Sequence, residues 1–271
     1  MRKLAMNEFS TKKWSFPEDV HNYSVAGYKG IGVVRDKIEA YGIDKGVKLI
    51  KDSKLEVTEL CVAGWFTEPE PLLSDRIKKT FEAIEIASHL ESHALIIVAG
   101  PQGSLEYSEA LKLLYEGLNR VIPYAIQKNI KLALEPIHPM YCSDYSFLST
   151  LSEVLDVCDS IGSSNLGVWL DTYHLWWDNR FFQDIHRAKG RIFGVHVNDF
   201  KKNTCSLQDQ GIPGEGIIPL KRMLSVIEEV GWSGIYTVEV FCDSTQKKDY
   251  KILLDKAMKG FNSIWDLNNN Y

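Results

Sequence analysis

Short apolar, β-branched runs alternate along the chain with longer stretches whose apolar residues recur at helical spacing. The runs fall at residues 3–8, 30–35, 56–63, 94–99, 131–136, 167–171, 193–198 and 236–241, and their length and composition predict strands. The stretches between them, 17–25, 44–51, 71–90, 107–127, 147–160, 181–188, 220–230 and 250–261, predict helices. Ser74 or Glu70-Pro71 is expected to open the third helix, and Ser104 lies shortly before the fourth. Gly162, Gly190, Gly234 and Asn129 separate helix ends from the next strand, as left-handed caps or tight turns do.

Eight strand–helix pairs fit a closed (β/α)8 TIM barrel, an α/β fold that typically needs about 250 residues, and residues 1–271 are expected to form one such domain. The competing architecture is an open doubly wound sheet. Such a sheet usually carries a glycine-rich turn after its first strand, where this chain has Glu8-Phe9-Ser10-Thr11. Gly100-Pro101-Gln102-Gly103 lacks the continuation of a phosphate-binding loop.

Composition narrows the function. Net charge is −5 with a sequence pI near 5.8, a balance that argues against a nucleic-acid or membrane partner. Cys61, Cys142, Cys158, Cys205 and Cys242 form no C-x-x-C pair or even disulfide framework, so reduced thiols are expected. The N-terminal stretch has no signal-type apolar run, and the longest apolar run, 94–99, is far short of a membrane span. A cytoplasmic location is the expectation.

Chemistry in such barrels gathers at the C-terminal ends of the strands. Four polar residues sit there with apolar neighbours: Glu135 in KLALEPI, Asp171 in LGVWLDTYH, His196 in FGVHVND and Glu239 in YTVEVF. Alternation along a strand turns such residues inward while their neighbours face the helices. Each alone is commonplace, since strand-end acids usually cap helices or pair with bases, and a histidine between valines is usually a core residue. Together, on strands five to eight, three converging carboxylates need a cation or protons to balance them. One imidazole with several carboxylates suits Mn²⁺ best, with Mg²⁺ and Co²⁺ close behind and Zn²⁺ still open.

At these residues the chain resembles the xylose-isomerase-like barrel superfamily, the sugar phosphate isomerase/epimerase group. The stretches that carry the likeness are GIGVVRDKIEAYG, LALEPIHPM, WLDTYHLWWD, GVHVNDF, PGEG and the closing strand with Glu239. The resemblance implies one divalent metal held by Glu135, Asp171, His196 and Glu239. It also implies that Glu135 and Glu239 serve as acid and base on opposite sides of a keto-sugar, through a metal-bound enediolate. His174, three residues after Asp171, matches a histidine of the keto-sugar 3-epimerases; Lys202, six after His196, stands where they carry an arginine.

Other candidates are weaker. His138 lies in the loop after strand five, as a second acid–base group or a surface histidine. Trp65 and Phe66 end strand three and could wall a sugar or simply pack the core. Asp199 either orients a ligand or caps its loop, and Gly214-Glu215-Gly216 is expected to form a tight turn. The competing reading is a lyase of the same superfamily, an inosose dehydratase or a β-eliminase acting on 3-keto-glycosides, including C-glycosides. An apurinic-site endonuclease is remote, because seven histidines and a negative chain suit neither a multi-zinc centre nor DNA. Related barrels often pair, so a homo-oligomer or a complex with a second subunit fits the resemblance.

Overall fold

The computed structural model describes residues 2–67, 72–206, 208–242 and 249–266. Eight parallel strands close into a barrel: β1 (Leu4–Asn7), β2 (Gly30–Val34), β3 (Glu56–Gly64), β4 (Ala94–Val98), β5 (Lys131–Leu134), β6 (Leu166–Asp171), β7 (Ile192–Val197) and, after a small ribbon, β10 (Tyr236–Val238). β10 pairs with both β7 and β1, which completes the ring. The ribbon, β8 (Asp199–Phe200) against β9 (Gln210–Gly211), is antiparallel and stands on the loop after β7. Each predicted strand window overlaps one barrel strand, with β3, β6 and β7 running one residue beyond theirs.

The helical layer comprises α1 (Phe16–Val25), α2 (Arg35–Tyr41), α3 (Ile43–Ser53), α4 (Leu73–His89), α5 (Tyr107–Gln127), α6 (Leu151–Ile161), α7 (Thr172–Leu175), α8 (Phe181–Asp184), α9 (Leu220–Glu229) and α10 (Tyr250–Asp266). Several starts differ from the sequence expectation. α6 begins at Leu151 rather than 147, because Thr150 and Glu153 form a capping box there. α5 begins at Tyr107 as expected, but its cap is Glu106, boxed with Glu109, rather than Ser104. Leu72 precedes α4 without a side-chain cap, so Ser74 does not cap it, and Pro71 with Glu70 lies outside the described residues. The second helical segment is two helices, parted at Gly42 with φ 102°, where one over 44–51 was expected. Gly162, Gly190 and Asn129 do take positive φ, as their placement before strands predicted, whereas Gly234 does not.

Two apolar layers result. Between strands and helices, Phe66 packs on α5, where a Cβ at Gly117 would come within 2.4 Å of its ring. Inside the barrel, Trp169 is the largest buried side chain, packed with Cys61, Ala94, Ile96 and Ala133. Its ring fills the slot left by Gly194 on β7, where a Cβ would stand 1.8 Å from Cζ3. Trp169 thereby forms the floor on which His196 rests, ring centroids 4.9 Å apart. No helix among the described residues is long and apolar enough to cross a membrane.

This floor gives a first expectation. Gly194→Ala should lower the denaturant midpoint by the equivalent of roughly 1–3 kcal/mol of overpacking. An unchanged midpoint would show that Trp169 does not need the slot.

Candidate active site

Around the ring the neighbours run β5, β6, β7, β10, so Glu135, Asp171, His196 and Glu239 occupy one continuous arc at the C-terminal mouth. Asp171 is level with His196 across the β6–β7 pair, and Glu135 and Glu239 each follow directly on their strand. From His196 Nδ1 the nearest carboxylate oxygens are Glu239 Oε2 at 3.5 Å, Asp171 Oδ2 at 3.6 Å and Glu135 Oε1 at 3.7 Å. These separations exceed a good hydrogen bond. They are a few tenths of an ångström longer than the roughly 3.0–3.5 Å between neighbouring ligands that share one ion at about 2.1 Å. His196 Nδ1 and Glu135 Oε1 are both buried without a hydrogen-bond partner. Orphaned atoms facing one point, in a donor set of oxygens and one nitrogen, fit a divalent cation.

The local sequence explains the convergence. Asp171 caps α7, its Oδ1 accepting from the backbone N–H groups of Tyr173 (2.6 Å) and His174 (3.2 Å), while Oδ2 takes the Asn198 amide at 3.1 Å. That leaves Oδ2 turned toward His196. Asn198 is fixed in turn: its Oδ1 accepts from Thr172 Oγ1 and from Tyr173 N. On the far side of the imidazole, Nε2 lies 3.2 Å from Glu59 Oε1. The sequence does not mark out Glu59, inside β3, because its window reads as an ordinary strand; its one signal is an acid with apolar residues two places on either side.

Electrostatics follows from the crowding. Burial raises the Glu239 carboxyl most, Glu135, Asp171 and Glu59 add to it, and although His196 opposes them the pKa is pushed up to about 8. For His196, burial is the largest influence and acts downward. The carboxylates of Glu239, Asp171, Glu135 and Glu59 outweigh it and hold the imidazole well above its usual value. Burial would raise Asp171, but His174, His196 and the Asn198 amide keep it below the ordinary range.

Above the arc opens a cavity of about 260 Å³. Glu135, Glu239, His196 and His174 line it; Asp171 lies beneath. Phe9, Val62, Ile137, Tyr141, Tyr145 and Phe241 supply an apolar and aromatic wall. His174 is buried with Nδ1 lacking a hydrogen-bond partner, and could ligate with Glu135 and Asp171 or meet a substrate oxygen. The ribbon closes one side: Phe241 N donates to Gln210 Oε1 at 2.8 Å, and Gln210 itself lines the cavity.

The remaining sequence candidates sit elsewhere. Phe66 is 1% exposed in the strand–helix core, since the turn after β3 directs it at Gly117. Trp65, with φ 53°, lies behind the wall and reaches Asp144 O with its indole nitrogen at 3.3 Å. Lys202 is exposed on the ribbon loop and does not line the cavity. His138 Nδ1 accepts from Met140 N among Tyr173, Trp177 and Phe200, so it too stands back from the cavity. Burial above all, with His174 beside it and Asp171 opposing, lowers its pKa to about 4. Asp199 caps its loop: its carboxylate accepts from the backbone of Gly214, Gly216 and Ile218.

Comparison with known proteins agrees with this architecture. The pattern of the xylose isomerase-like TIM barrel family matches residues 20–259. Among curated relatives, an inosose isomerase of Halalkalibacterium halodurans is 29% identical over 134 residues, 48% of this chain and 45% of the relative. In that alignment the chain spans less than half of its relative's length. Another inosose isomerase, from Bacillus velezensis, is 24% identical over 95% of this chain and 93% of its own. A D-psicose 3-epimerase of Agrobacterium fabrum is 25% identical over 52% of this chain and 46% of the enzyme. A crystal structure from Sinorhizobium meliloti 1021 superposes with a TM-score of 0.91 at 29% identity, covering 96% of this chain and 98% of that one. The IOLI protein, solved with a zinc atom, superposes at 0.82 and 21% identity over 97% of each chain.

The raised Glu239 and His196 pKa values give a signed expectation. Both groups hold protons more tightly folded than unfolded, so they add stability at low pH that is lost as pH rises. For His196 the loss begins above its unfolded value near 6.5; for Glu239 it spans roughly 4.5 to 8. His138, lowered to about 4, works the other way below its unfolded value, so metal-free protein should show a falling denaturant midpoint from about pH 6.5 to 8. A dication competes with these protons, so its affinity should rise over the same interval with measurable proton release. Affinity independent of pH, without proton release, would contradict this electrostatic picture.

Proposed function

We propose that this chain, which belongs to the xylose isomerase-like TIM barrel family, is a divalent-metal-dependent isomerase or epimerase of a small keto-sugar or cyclic polyol ketone. The observation that carries the reading is the placement of Glu135 and Glu239 at the two ends of the ligand arc, both lining the cavity. The names of relatives support it, since they are inosose isomerases and a D-psicose 3-epimerase. The zinc atom named for the IOLI protein supports a divalent metal without choosing among Mn²⁺, Mg²⁺, Co²⁺ and Zn²⁺.

Glu135, Asp171, His196 and Glu239 would hold the cation. When bound, it supplies a Lewis acid that polarises the substrate carbonyl and acidifies the neighbouring C–H. The proton itself is handled by the side chains. One glutamate takes it from the carbon next to the carbonyl, and the other, across the arc, returns a proton from the opposite face. Return to the same carbon inverts it; return to the former carbonyl carbon, with the hydroxyl proton passing from one oxygen to the other, isomerises the sugar. In the metal-free chain burial pushes Glu239 up to about 8; beside a bound cation its carboxylate would be lowered and free to take a proton. His174 reaches into the same space and can donate to a substrate hydroxyl. Asp171, hydrogen-bonded beneath the cavity, anchors without touching the carbon. The aromatic wall of Tyr141, Tyr145, Phe9 and Phe241 suits the C–H face of a sugar, and it keeps water from the reacting centre.

Incubation with inosose and ketohexoses in D₂O tests the reading. Solvent deuterium should enter the carbon next to the carbonyl, with formation of an isomer or epimer. Glu135→Gln and Glu239→Gln should each lower turnover by about 10²-fold or more. Release of water in place of an isomer would replace this proposal with the lyase reading. Full turnover in both variants would remove the two glutamates from the chemistry.

A further inference from the structure

Beneath the ligand arc, inside the barrel, lies a carboxylate that does not line the cavity. Glu59 is completely buried on β3. Its Oε1 is 3.2 Å from His196 Nε2 and 2.8 Å from Asn7 Nδ2, while Oε2 accepts from Thr237 Oγ1 at 3.2 Å. The neighbouring strand makes room for it. A Cβ at Gly32 would stand 1.8 Å from Glu59 Oε1 and 2.5 Å from Asn7 Nδ2. A slot opened in a barrel interior and filled by an acid aimed at the back of an imidazole is a costly arrangement for packing alone.

We propose that Glu59 is a positioning residue that sets the affinity of the site for its divalent cation, by holding His196 with Nδ1 aimed into the arc. The inference rests on the metal-binding reading given above. A carboxylate can only accept a hydrogen bond, so the proton it receives resides on Nε2, and in the neutral ring the lone pair is then on Nδ1. Nδ1 is the nitrogen that faces Glu135, Asp171 and Glu239. The negative charge behind the ring makes that lone pair a better donor to a cation. Such partners of metal-ligating histidines commonly account for 10–100-fold in metal affinity. Asn7 on β1 and Thr237 on β10 fix the carboxylate, and Trp169 packs edge-on against the ring, so its plane is tied to several strands at once.

Glu59→Gln keeps the shape and an acceptor for Nε2 but removes the charge. Metal-free wild type and E59Q would be titrated with Co²⁺ and Mn²⁺ against a competing chelator, with the Co²⁺ absorption spectrum and the metal-free melting temperature recorded. The expected result is a dissociation constant raised about 10–100-fold in E59Q, an altered Co²⁺ spectrum, and a metal-free melting temperature no lower than wild type. Glu59→Asp, which retains the charge, should recover part of the affinity. Should E59Q not fold, Thr237→Val loosens the carboxylate with its charge in place and should still weaken binding severalfold. Binding in E59Q or, where that does not fold, in T237V within twofold of wild type, with an unchanged spectrum, would overturn the proposal. Wild type that binds neither ion would instead overturn the metal-binding reading itself, so the two failures are separable.

Discussion

Like charges cannot be gathered inside a protein without something to balance them. Glu59, Glu135, Asp171 and Glu239 all lie around the single imidazole of His196, each 6% exposed or less. Burial itself does most to push Glu239 up to about 8, the neighbouring carboxylates add to it, and the same carboxylates hold the proton on His196. A proton on each of these two groups relieves part of the imbalance in the metal-free chain. A dication among the same atoms would relieve more, and would satisfy the bare Nδ1 of His196 and Oε1 of Glu135. The rest of the site follows from that need: the cap that fixes Asp171, the glycines that admit Trp169 and Glu59, and the aromatic collar above.

The division of labour runs along the barrel axis. In and below the arc, side chains are locked by hydrogen bonds: Asp171 by the start of α7 and Asn198, and beneath it Glu59 by Asn7 and Thr237. At the arc, Glu135 and Glu239 face the cavity. Above it, walls come from loops of separate origin, with Tyr141 and Tyr145 following β5, Phe241 following β10, and Gln210 from the ribbon. A rigid floor with a loop-built mouth lets a barrel keep one proton-transfer chemistry while the loops select the substrate.

Much of this was legible in the sequence, for physical reasons that differ by residue. Barrel strands announce themselves as apolar runs because both their faces are covered, and each of the eight windows overlaps its strand. Glu135, Asp171, His196 and Glu239 stood out as polar interruptions of such runs, and the structure brings all four together. Glu59 did not, because its partner His196 is 137 positions away and only closure of the ring reveals the pair. Side-chain direction after a strand end was equally hidden. Gly64 with φ 110° and Trp65 with φ 53° turn the chain so that Phe66 enters the outer core. The start of α6 was misplaced because its capping box, Thr150 with Glu153, opens the helix four residues later than expected; α5 begins where expected, but its cap is Glu106.

The most direct measurement is anomalous diffraction from crystals grown with Mn²⁺, recorded on both sides of the metal edge. The expected result is one peak in the arc, about 2.0–2.3 Å from His196 Nδ1 and from carboxylate oxygens of Glu135, Asp171 and Glu239. A map with no peak among these four side chains, or with the ion on the Glu59–Cys61 side of the imidazole, would contradict the central claim.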